Sequence, residues 1–365
     1  MSIKFNVLKA LVLLYFCIPK WDIINIPVLP TGVRIQDLIS VLLFLNSNVL
    51  TTLSRVIKKR QIFYTTILIF FFNFIGSLIF ETHLYFLVGW IRMAQYLILG
   101  IAIYLALRHS SAVLYYLMVI QISVAALQYL KILPVFDPGR GILKTSEYAG
   151  TFGTAAELAY FSVFMTAIFV QNSKVSLANL SLFLPLFNGV RAYFIMIPVF
   201  VFIRTGSLNT RLLITIPALV ASVGIYLYFS DLLNQFIFLT IELIQNIEPN
   251  LDSLQSSLGV ASGDLALSHR IGKWAASLAI ISQTSALFWG TGLYSAGGAL
   301  DGGLLRLILE LGVPASLLIF CMLLKLEFSI LLLFLVVNLF FDGYLSSVVM
   351  PMIFAYILLV TKFRR

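Results

Sequence analysis

Long apolar stretches with almost no charged residue follow one another along this chain, and they constrain its fold more than any other feature. Hydrophobic residues make up 61% of the sequence and charged residues only 11%. A soluble domain needs about a quarter of its residues charged to cover its surface. Because this chain lacks such a surface, lipid must be its main solvent, and we predict an all-α integral membrane protein.

About 12 stretches read as membrane-spanning helices, each of which takes about 20 apolar residues. They are 7–19, 36–54, 61–80, 85–107, 110–133, 155–171, 175–188, 191–204, 212–229, 303–324, 327–345 and 346–361. The seventh and eighth are short and adjacent, so one broken hairpin is an alternative that lowers the count. We predict a single polytopic membrane domain over residues 1–365.

Basic residues concentrate in the short connections between the apolar stretches, for example at 55–60, at Lys325 and in the tail 362–365. Cytoplasmic loops of membrane proteins carry an excess of Lys and Arg. We therefore place these connections and both termini in the cytoplasm. The formal net charge of +9 then reflects membrane orientation, and we expect no nucleic acid as a partner.

Two longer polar segments fall on the outer side in this arrangement, at about 134–154 and at 230–302. The second is the large outer loop, and loops of this length in a compact domain are usually functional. Apolar residues at helical spacing over 271–287 predict an amphipathic helix within the loop.

Ionisable residues at membrane depth are costly, so each one is a functional candidate. Those near the outer ends of helices are Arg92, Glu157, Arg191, Asp301, Arg306 and Glu310, and the outer segments add Arg140 and Arg270. For Arg92, Glu157 and Arg306 an intramembrane ion pair is an equal alternative. Arg306 and Glu310, for example, are four residues apart, the spacing of neighbours on a helix.

The arginines indicate an anionic ligand, because arginine keeps its charge when desolvated and binds phosphate with two parallel donors. A lipid diphosphate headgroup in the outer leaflet fits them best, although chloride or another anion fits the charge as well. The sequence has no acidic motif of the DxD type. We therefore expect the arginines to replace a divalent cation, with no metal and no other cofactor.

Three stretches carry motifs in a characteristic order. The first, 150–161, reads GTFGTAAELAYF, and the second, 188–195, reads NGVRAYFI with Arg191 at its centre. The third, 269–312, carries R-x-x-x-W, then G-x-G, then D-G-x-x-L-x-x-x-x-E-x-G, on Arg270, Trp274, Gly290, Gly292, Asp301, Leu305, Glu310 and Gly312. Together they resemble the O-antigen polymerase and ligase superfamily, the Wzy and WaaL group of bacterial surface-polysaccharide enzymes. The chain departs from that family at 154–157, at Val190 and at Gly302.

The resemblance implies a membrane-embedded glycosyltransferase with a GT-C-like fold in the bacterial inner membrane, with its active site facing the periplasm or outside. Such a polymerase moves the growing glycan from undecaprenyl diphosphate to the next undecaprenyl-diphosphate-linked oligosaccharide, with inversion at the anomeric carbon. The lipid bilayer surrounds it, and a chain-length regulator could bind as a further partner.

The chemistry of the residues suggests roles that are compatible with this reaction. Asp301 is the first choice for the base that accepts the acceptor's proton, followed by Glu310 and His269. Arg191 and Arg270 would stabilise the departing diphosphate, supported by Arg140, Arg92 and Arg306. Trp274 and His269 would contact the glycan, although Trp274 could instead anchor at the membrane interface. The pair Gly302 and Gly303 could let a ligand approach the backbone, or form a flexible junction.

Two other functions fit the sequence, and a third alternative, a structural membrane subunit, would not need so many arginines on the outer face. An O-antigen ligase would hand the finished glycan to a lipid A core. Ligases of this group typically have histidine at the position of Asp301, so the aspartate favours a polymerase. A transporter or flippase for a polyprenol-linked glycan often has paired halves with broken helices at matching positions, and the sequence shows no such symmetry.

The charge distribution predicts that position 58 is cytoplasmic and position 252 is outside, because Lys and Arg mark the cytoplasmic side. With the 2 native cysteines replaced by serine, Asp252→Cys should react with a membrane-impermeant maleimide in intact cells. Lys58→Cys should react only after lysis. Labelling of position 58 with protection of position 252 would invert the orientation and remove the outer site.

Overall fold

A computed structural model describes most of the N-terminal half of the chain and its C-terminal hundred or so residues. The described residues are 3–18, 22–24, 33–109, 112–137, 141–143, 150–152, 155–171, 177–178, 180–181, 238, 241, 265–296, 300, 302–326, 328–339 and 341–361. The predicted spans 191–204 and 212–229 lie outside them, as does most of 175–188 and most of the outer loop before residue 265.

The described residues are almost entirely helical. The helices are α1 (Ile3–Cys17), α2 (Ile35–Phe44), α3 (Ser47–Ile57), α4 (Arg60–Ile79), α5 (His83–His109), α6 (Ala112–Tyr129), α7 (Ala155–Gln171), α8 (Leu265–Ile281), α9 (Thr284–Trp289), α10 (Gly303–Leu326), α11 (Phe328–Leu339) and α12 (Val349–Val360). A 3-10 turn covers Gly343–Leu345. Two small antiparallel sheets, which the sequence did not predict, pair β1 (Asp22–Ile24) with β2 (Val33–Arg34) and β3 (Val135–Asp137) with β4 (Gly141–Leu143).

Membrane-spanning character is concentrated in a few of these helices. Among the described residues, α4, α5, α6 and α10 are long and apolar enough to cross a membrane, and α2 with α3 would add a fifth if the pair forms one span. Shorter apolar helices lie within α1, α7 and α12. These helices fit the predicted membrane protein, while the prediction of about 12 spans extends over segments that the structure does not describe.

The predicted span 36–54 is not one straight helix, because α2 and α3 meet at an angle of 79°. Asn46 lies between them, and its side chain accepts a hydrogen bond from the Asn48 N–H at 3.1 Å. An asparagine in this position caps the start of a helix, so it ends one helix and begins another inside an apolar run. The predicted span 327–345 is also shorter, since α11 ends at Leu339 and Asp342 follows it.

The chain groups into two compact units, and the single polytopic domain remains a prediction from the sequence. The first comprises Met1–Lys59, Ile91–Met196 and Gly343–Arg365, and the second comprises Arg60–Trp90 and Ile197–Asp342. In the first unit α1 packs against α2 and α6, while α7 packs against α6 and α12. In the second unit α10 is the central helix and contacts α4, α8, α9 and α11.

The amphipathic helix predicted over 271–287 is present as two helices, α8 and α9. Its apolar face is lined by small residues, including Ala275, Ala276 and Ala279, which are buried in one cluster with Leu309 of α10. Small side chains let helix backbones approach closely in membrane proteins. This packing fixes α8, which carries the start of the third motif, against α10, which carries its end.

Helix α10 is interrupted at Gly312, whose φ of 78° and ψ of 164° are not helical. In an unbroken α-helix the carbonyl of Glu310 would accept a hydrogen bond from the N–H of residue 314. That residue is Pro314, which has no N–H to donate. The interior of α10 therefore presents a carbonyl group that needs a partner from elsewhere in the fold.

The segment that follows α9 supplies these partners. The Thr291 N–H donates to the Leu309 carbonyl at 2.9 Å, and the Gly292 N–H donates to the Glu310 carbonyl at 3.0 Å. Asn73 of α4 adds a side-chain donor to the Glu310 carbonyl at 2.7 Å. An unsatisfied backbone group is expensive away from water, most of all in a bilayer, and these bonds satisfy the two carbonyls at the break.

Asn73 connects this segment to the rest of the second unit. Its side-chain oxygen accepts hydrogen bonds from the Trp90 indole N–H at 3.1 Å and from the Leu293 N–H at 3.2 Å. The Thr82 hydroxyl also donates to the Thr291 carbonyl. A single buried amide therefore joins α4, α5, the segment after α9 and the break in α10.

The glycines of the G-x-G motif and Gly312 are required by backbone conformation and by close approach. Gly290, Gly292 and Gly312 all have positive φ, at 74°, 97° and 78°, where only glycine is unstrained. A Cβ added to Gly290 would lie 2.6 Å from the Gly312 nitrogen, and one added to Gly312 would lie 2.8 Å from the Gly290 nitrogen. The two backbones touch where neither can carry a side chain.

We predict that Gly312→Ala destabilises the protein, because it adds a clash to a conformation that costs a residue with a side chain roughly 1–3 kcal/mol. The thermal midpoint of the detergent-purified protein should fall clearly, as measured by fluorescence-detected size-exclusion chromatography. Leu317→Ala, at an exposed position of the same helix, is the matched control and should leave the midpoint nearly unchanged. An unchanged midpoint in Gly312→Ala would contradict the assignment of the break.

Candidate functional site

Arg306 lies between two carboxylates near the start of α10. Its Nε donates to Glu310 Oε1 at 2.8 Å, and its NH1 nitrogen donates to Asp342 Oδ2 at 2.9 Å. The Arg306 side chain is 3% exposed and that of Glu310 is 0% exposed. The ion pair that the i, i+4 spacing offered as an alternative is confirmed, and Asp342 is a third member that the sequence did not reveal.

These contacts bear on two predicted roles. Arg306 was a candidate for diphosphate binding, but its guanidinium is buried and donates to two carboxylates of its own chain. Glu310 was the second choice for the base, but its carboxylate accepts from Arg306 and from the Ala296 N–H at 3.4 Å. A buried charge needs such partners because desolvation is expensive. The geometry favours internal charge pairing for both residues.

Asp342 also binds the backbone just before α10. Its Oδ2 accepts from the Leu300 N–H at 2.8 Å and its Oδ1 accepts from the Gly302 N–H at 3.3 Å. The Leu300 carbonyl accepts from the Trp274 indole N–H at 3.1 Å, and the Gly302 carbonyl accepts from the Arg306 N–H at 2.9 Å. The N–H and the carbonyl of both Leu300 and Gly302 therefore each have a hydrogen-bond partner. We call this set of hydrogen bonds the Leu300–Gly302 brace.

Trp274 and the glycine pair take part in this packing. A Cβ added to Gly302 would lie 2.7 Å from the Trp274 indole nitrogen, and one added to Gly303 would lie 2.8 Å from the Asn338 side-chain oxygen. The contacts give both glycines a close-packing role that the sequence analysis did not foresee. The indole N–H of Trp274 is bound to the Leu300 carbonyl, so only its ring face could meet a glycan.

Several predicted site residues lie wholly or partly outside the described residues. Arg140, Arg191 and Asp301 lie outside the described residues, and for His269 and Arg270 the structure gives only a position on α8. Asp301 is nevertheless flanked in the chain by Leu300 and Gly302, both of which the brace holds. Their assignments to diphosphate, acceptor and glycan stay predictions.

In the first unit, Arg92 pairs with a carboxylate of α2. Its NH1 nitrogen donates to Asp37 Oδ1 and to the Gln95 side-chain oxygen, the latter at 3.1 Å. Asp37 also accepts from the Arg34 N–H at 2.8 Å, which places its carboxylate at the start of α2. The ion-pair alternative for Arg92 is therefore the one that the contacts support.

Glu157 belongs to a second polar cluster of the first unit. Its carboxylate accepts from the Ser346 hydroxyl at 2.8 Å, close to the turn at Gly343–Leu345. The Tyr96 hydroxyl donates to the Leu345 carbonyl at 3.1 Å, and the Tyr15 hydroxyl donates to the Ser347 carbonyl at 3.1 Å. Side chains from α1, α5 and α7 therefore bind the chain at the end of this turn, and Ser346 is the hydrogen-bond partner of Glu157 there.

The first motif is held by two glutamines of α6. Gln128 accepts from the Gly150 N–H at 2.9 Å and donates to the Gly150 carbonyl at 2.8 Å. Gln121 accepts from the Thr151 N–H at 2.9 Å and donates to the Thr151 hydroxyl at 2.5 Å. The start of GTFGTAAELAYF is therefore bound to α6 by glutamine side chains, which hydrogen-bond to its backbone as a neighbouring strand would.

Comparison with known proteins adds no relative: no protein-family model, no curated protein and no solved structure matches this chain. Among the described residues, no group of three or more His, Cys, Asp or Glu side chains could hold a metal ion.

The residues that sequence reasoning missed are Asp342, Asp37 and Asn73, whose partners are distant in the chain.

We predict that Arg306→Gln lowers stability strongly, because it leaves two buried carboxylates without their cation, and breaking a buried pair costs about 3–5 kcal/mol. Arg306→Lys should recover part of the loss, since lysine keeps the charge but not the planar fork. Thermal midpoints in detergent measure both. Lys325→Gln, at an exposed position of α10, is the control. Equal midpoints for Arg306→Gln and Lys325→Gln would contradict the buried pairing.

Proposed function

We propose that this protein is a membrane-embedded glycosyltransferase that polymerises lipid-linked oligosaccharides. It would transfer the growing glycan from undecaprenyl diphosphate to the next undecaprenyl-diphosphate-linked repeat unit. The observation that carries the proposal is the Leu300–Gly302 brace. Trp274 and Arg306 both lie in the stretch that carries the third motif. The Trp274 indole donates to the Leu300 carbonyl and the Arg306 N–H donates to the Gly302 carbonyl, so both contacts hold residues that flank Asp301.

The proposed chemistry is a direct displacement with inversion. The acceptor hydroxyl attacks the anomeric carbon of the donor, the bond from that carbon to the diphosphate oxygen breaks, and Asp301 accepts the hydroxyl proton. General-base catalysis by a positioned carboxylate typically contributes about 10²–10⁴ in rate. Small misplacements of such groups are costly, so a base flanked by two fixed residues suits this reaction.

The departing diphosphate carries the developing negative charge in this proposal. Arg191 and Arg270 would bind it, because guanidinium groups donate two parallel hydrogen bonds to phosphate oxygens. Arg306 is not part of this set, because its guanidinium N–H groups donate to the carboxylates of Glu310 and Asp342. Without Arg306, the set proposed to bind the diphosphate consists of Arg191 and Arg270, with Arg140 in support.

The location follows from the lipid substrate. Helices α4, α5, α6 and α10 are long and apolar enough to cross a membrane, and an undecaprenyl chain lies in the same apolar layer. We place the protein in the bacterial inner membrane, with the glycan and the site on the outer side. The basic connections between the apolar stretches support that orientation.

A transporter of an anionic or polyprenol-linked substrate is the second candidate, and the break in α10 favours it. Broken helices in transporters expose backbone carbonyls and N–H groups to the substrate. Here the carbonyls of Leu309 and Glu310 accept from Thr291, Gly292 and Asn73. Protein donors therefore occupy these two carbonyls, which leaves them less suited to a transported ion and favours an enzyme.

Polymerisation is tested with the purified protein in liposomes that contain undecaprenyl-diphosphate-linked repeat units from cells lacking the chain. We expect a ladder of longer glycans, analysed by gel electrophoresis. Arg191→Ala and Arg270→Ala should each lower the rate about 10²–10³-fold, as the loss of one charge-stabilising donor does. Lys325→Ala is the matched control with full activity expected.

Other results of this assay would replace the proposal. Movement of the repeat unit across the bilayer without a new glycosidic bond would identify a flippase. Transfer to an added lipid A core, with no ladder, would identify a ligase. Wild-type ladders from both arginine variants would contradict the diphosphate assignment.

A further inference from the structure

We infer that Asp342 is a positioning residue for glycosyl transfer, acting through the backbone on either side of Asp301. This inference rests on the proposed function. Asp342 lies outside all three motifs, in the loop between α11 and the turn at Gly343–Leu345. Its two oxygens bind two amides of a segment that precedes it by some forty residues.

The geometry of this contact is specific. One carboxylate oxygen accepts from the Leu300 N–H and the other accepts from the Gly302 N–H. The two peptide groups flank Asp301, so a single rigid side chain sets the distance between them. Trp274 and the first turn of α10 hold the corresponding carbonyls, so the two residues that precede and follow Asp301 in the sequence are both bound.

Arg306 sets the direction of the Asp342 carboxylate. Its NH1 nitrogen donates to the same Oδ2 that accepts from Leu300. Hydrogen bonds with an ionised partner are shorter and stronger than neutral ones. An asparagine at position 342 would offer one oxygen and one NH₂ group. Its NH₂ group would then face another donor, either a backbone N–H or the Arg306 guanidinium.

Stability alone is a weak explanation for this arrangement. Buried ion pairs can often be replaced by well-packed apolar residues with no loss of stability. An apolar side chain at position 342 could fill the same space, but it could not bind two amides at once. A carboxylate at this position pairs with Arg306 and also holds Leu300 and Gly302 relative to each other.

The first arm of the test measures the brace without any substrate. Hydrogen exchange in full-length protein, followed by mass spectrometry, should show slow exchange in the peptide that contains residues 300–302. Asp342→Asn should raise that rate about tenfold or more, as the loss of hydrogen bonds to a charged group does. Asp37→Asn, which removes the carboxylate beside Arg92 in the first unit, is the control and should leave this peptide unchanged. Unchanged exchange in Asp342→Asn would overturn the inference.

The second arm uses a double-mutant cycle in the liposome assay. Asp342→Asn should lower kcat about 10²-fold, with little change in KM for the lipid-linked repeat unit. If Asp342 acts through Asp301, the double variant Asp301→Asn with Asp342→Asn should be no slower than Asp301→Asn alone, because the effects of residues that act as a unit do not add. A purely structural contribution would slow the double variant further.

The outcomes separate this inference from the proposed function. No ladder from the wild type, or a wild-type rate in Asp301→Asn, contradicts the proposed function. An inactive Asp301→Asn beside a fully active Asp342→Asn contradicts only the positioning role. A double variant slower than Asp301→Asn makes Asp342 a structural residue. If Asp342→Asn does not fold, the exchange and kinetic tests apply to Asp342→Glu, whose longer side chain should loosen the brace while keeping the charge beside Arg306.

Discussion

A buried carbonyl group has no water to bond with, and this constraint organises the second unit around the break in α10. Unsatisfied backbone groups are tolerated in lipid only where protein supplies partners. Pro314 removes the donor for Glu310, and the segment after α9 replaces it, with Asn73 as a second donor. The contacts of α10 with α4 and α9 follow from this need.

Glu310 links the break to the candidate site. Its carbonyl accepts from Gly292 and Asn73 at the interruption of α10, while its carboxylate accepts from Arg306. Arg306 in turn binds Asp342, which holds the backbone of Leu300 and Gly302. The same short part of α10 therefore serves the packing of the unit and the placement of the residues around Asp301. A substitution at Glu310 would disturb both.

The sequence predicted those features that depend on local spacing. Apolar runs of membrane length located α4, α5 and α10, and the i, i+4 spacing revealed the Arg306–Glu310 pair. It could not reveal Asp342, because that contact depends on how the loop after α11 packs against α10. The break between α2 and α3 was missed since one polar residue, Asn46, caps a helix within an apolar run. The glycines were noticed as motifs, but their positive φ angles and backbone contacts become visible only in the folded chain.

The central claim is that the protein breaks the bond between a glycan and undecaprenyl diphosphate while it forms a new glycosidic bond. The most direct measurement is the amount of free undecaprenyl diphosphate released per glycosidic bond formed, together with the anomeric configuration of the new bond by NMR. The account predicts one lipid diphosphate for each bond and an inverted configuration. Repeat units that cross the membrane with no released lipid diphosphate, or a retained configuration in the product, would contradict it.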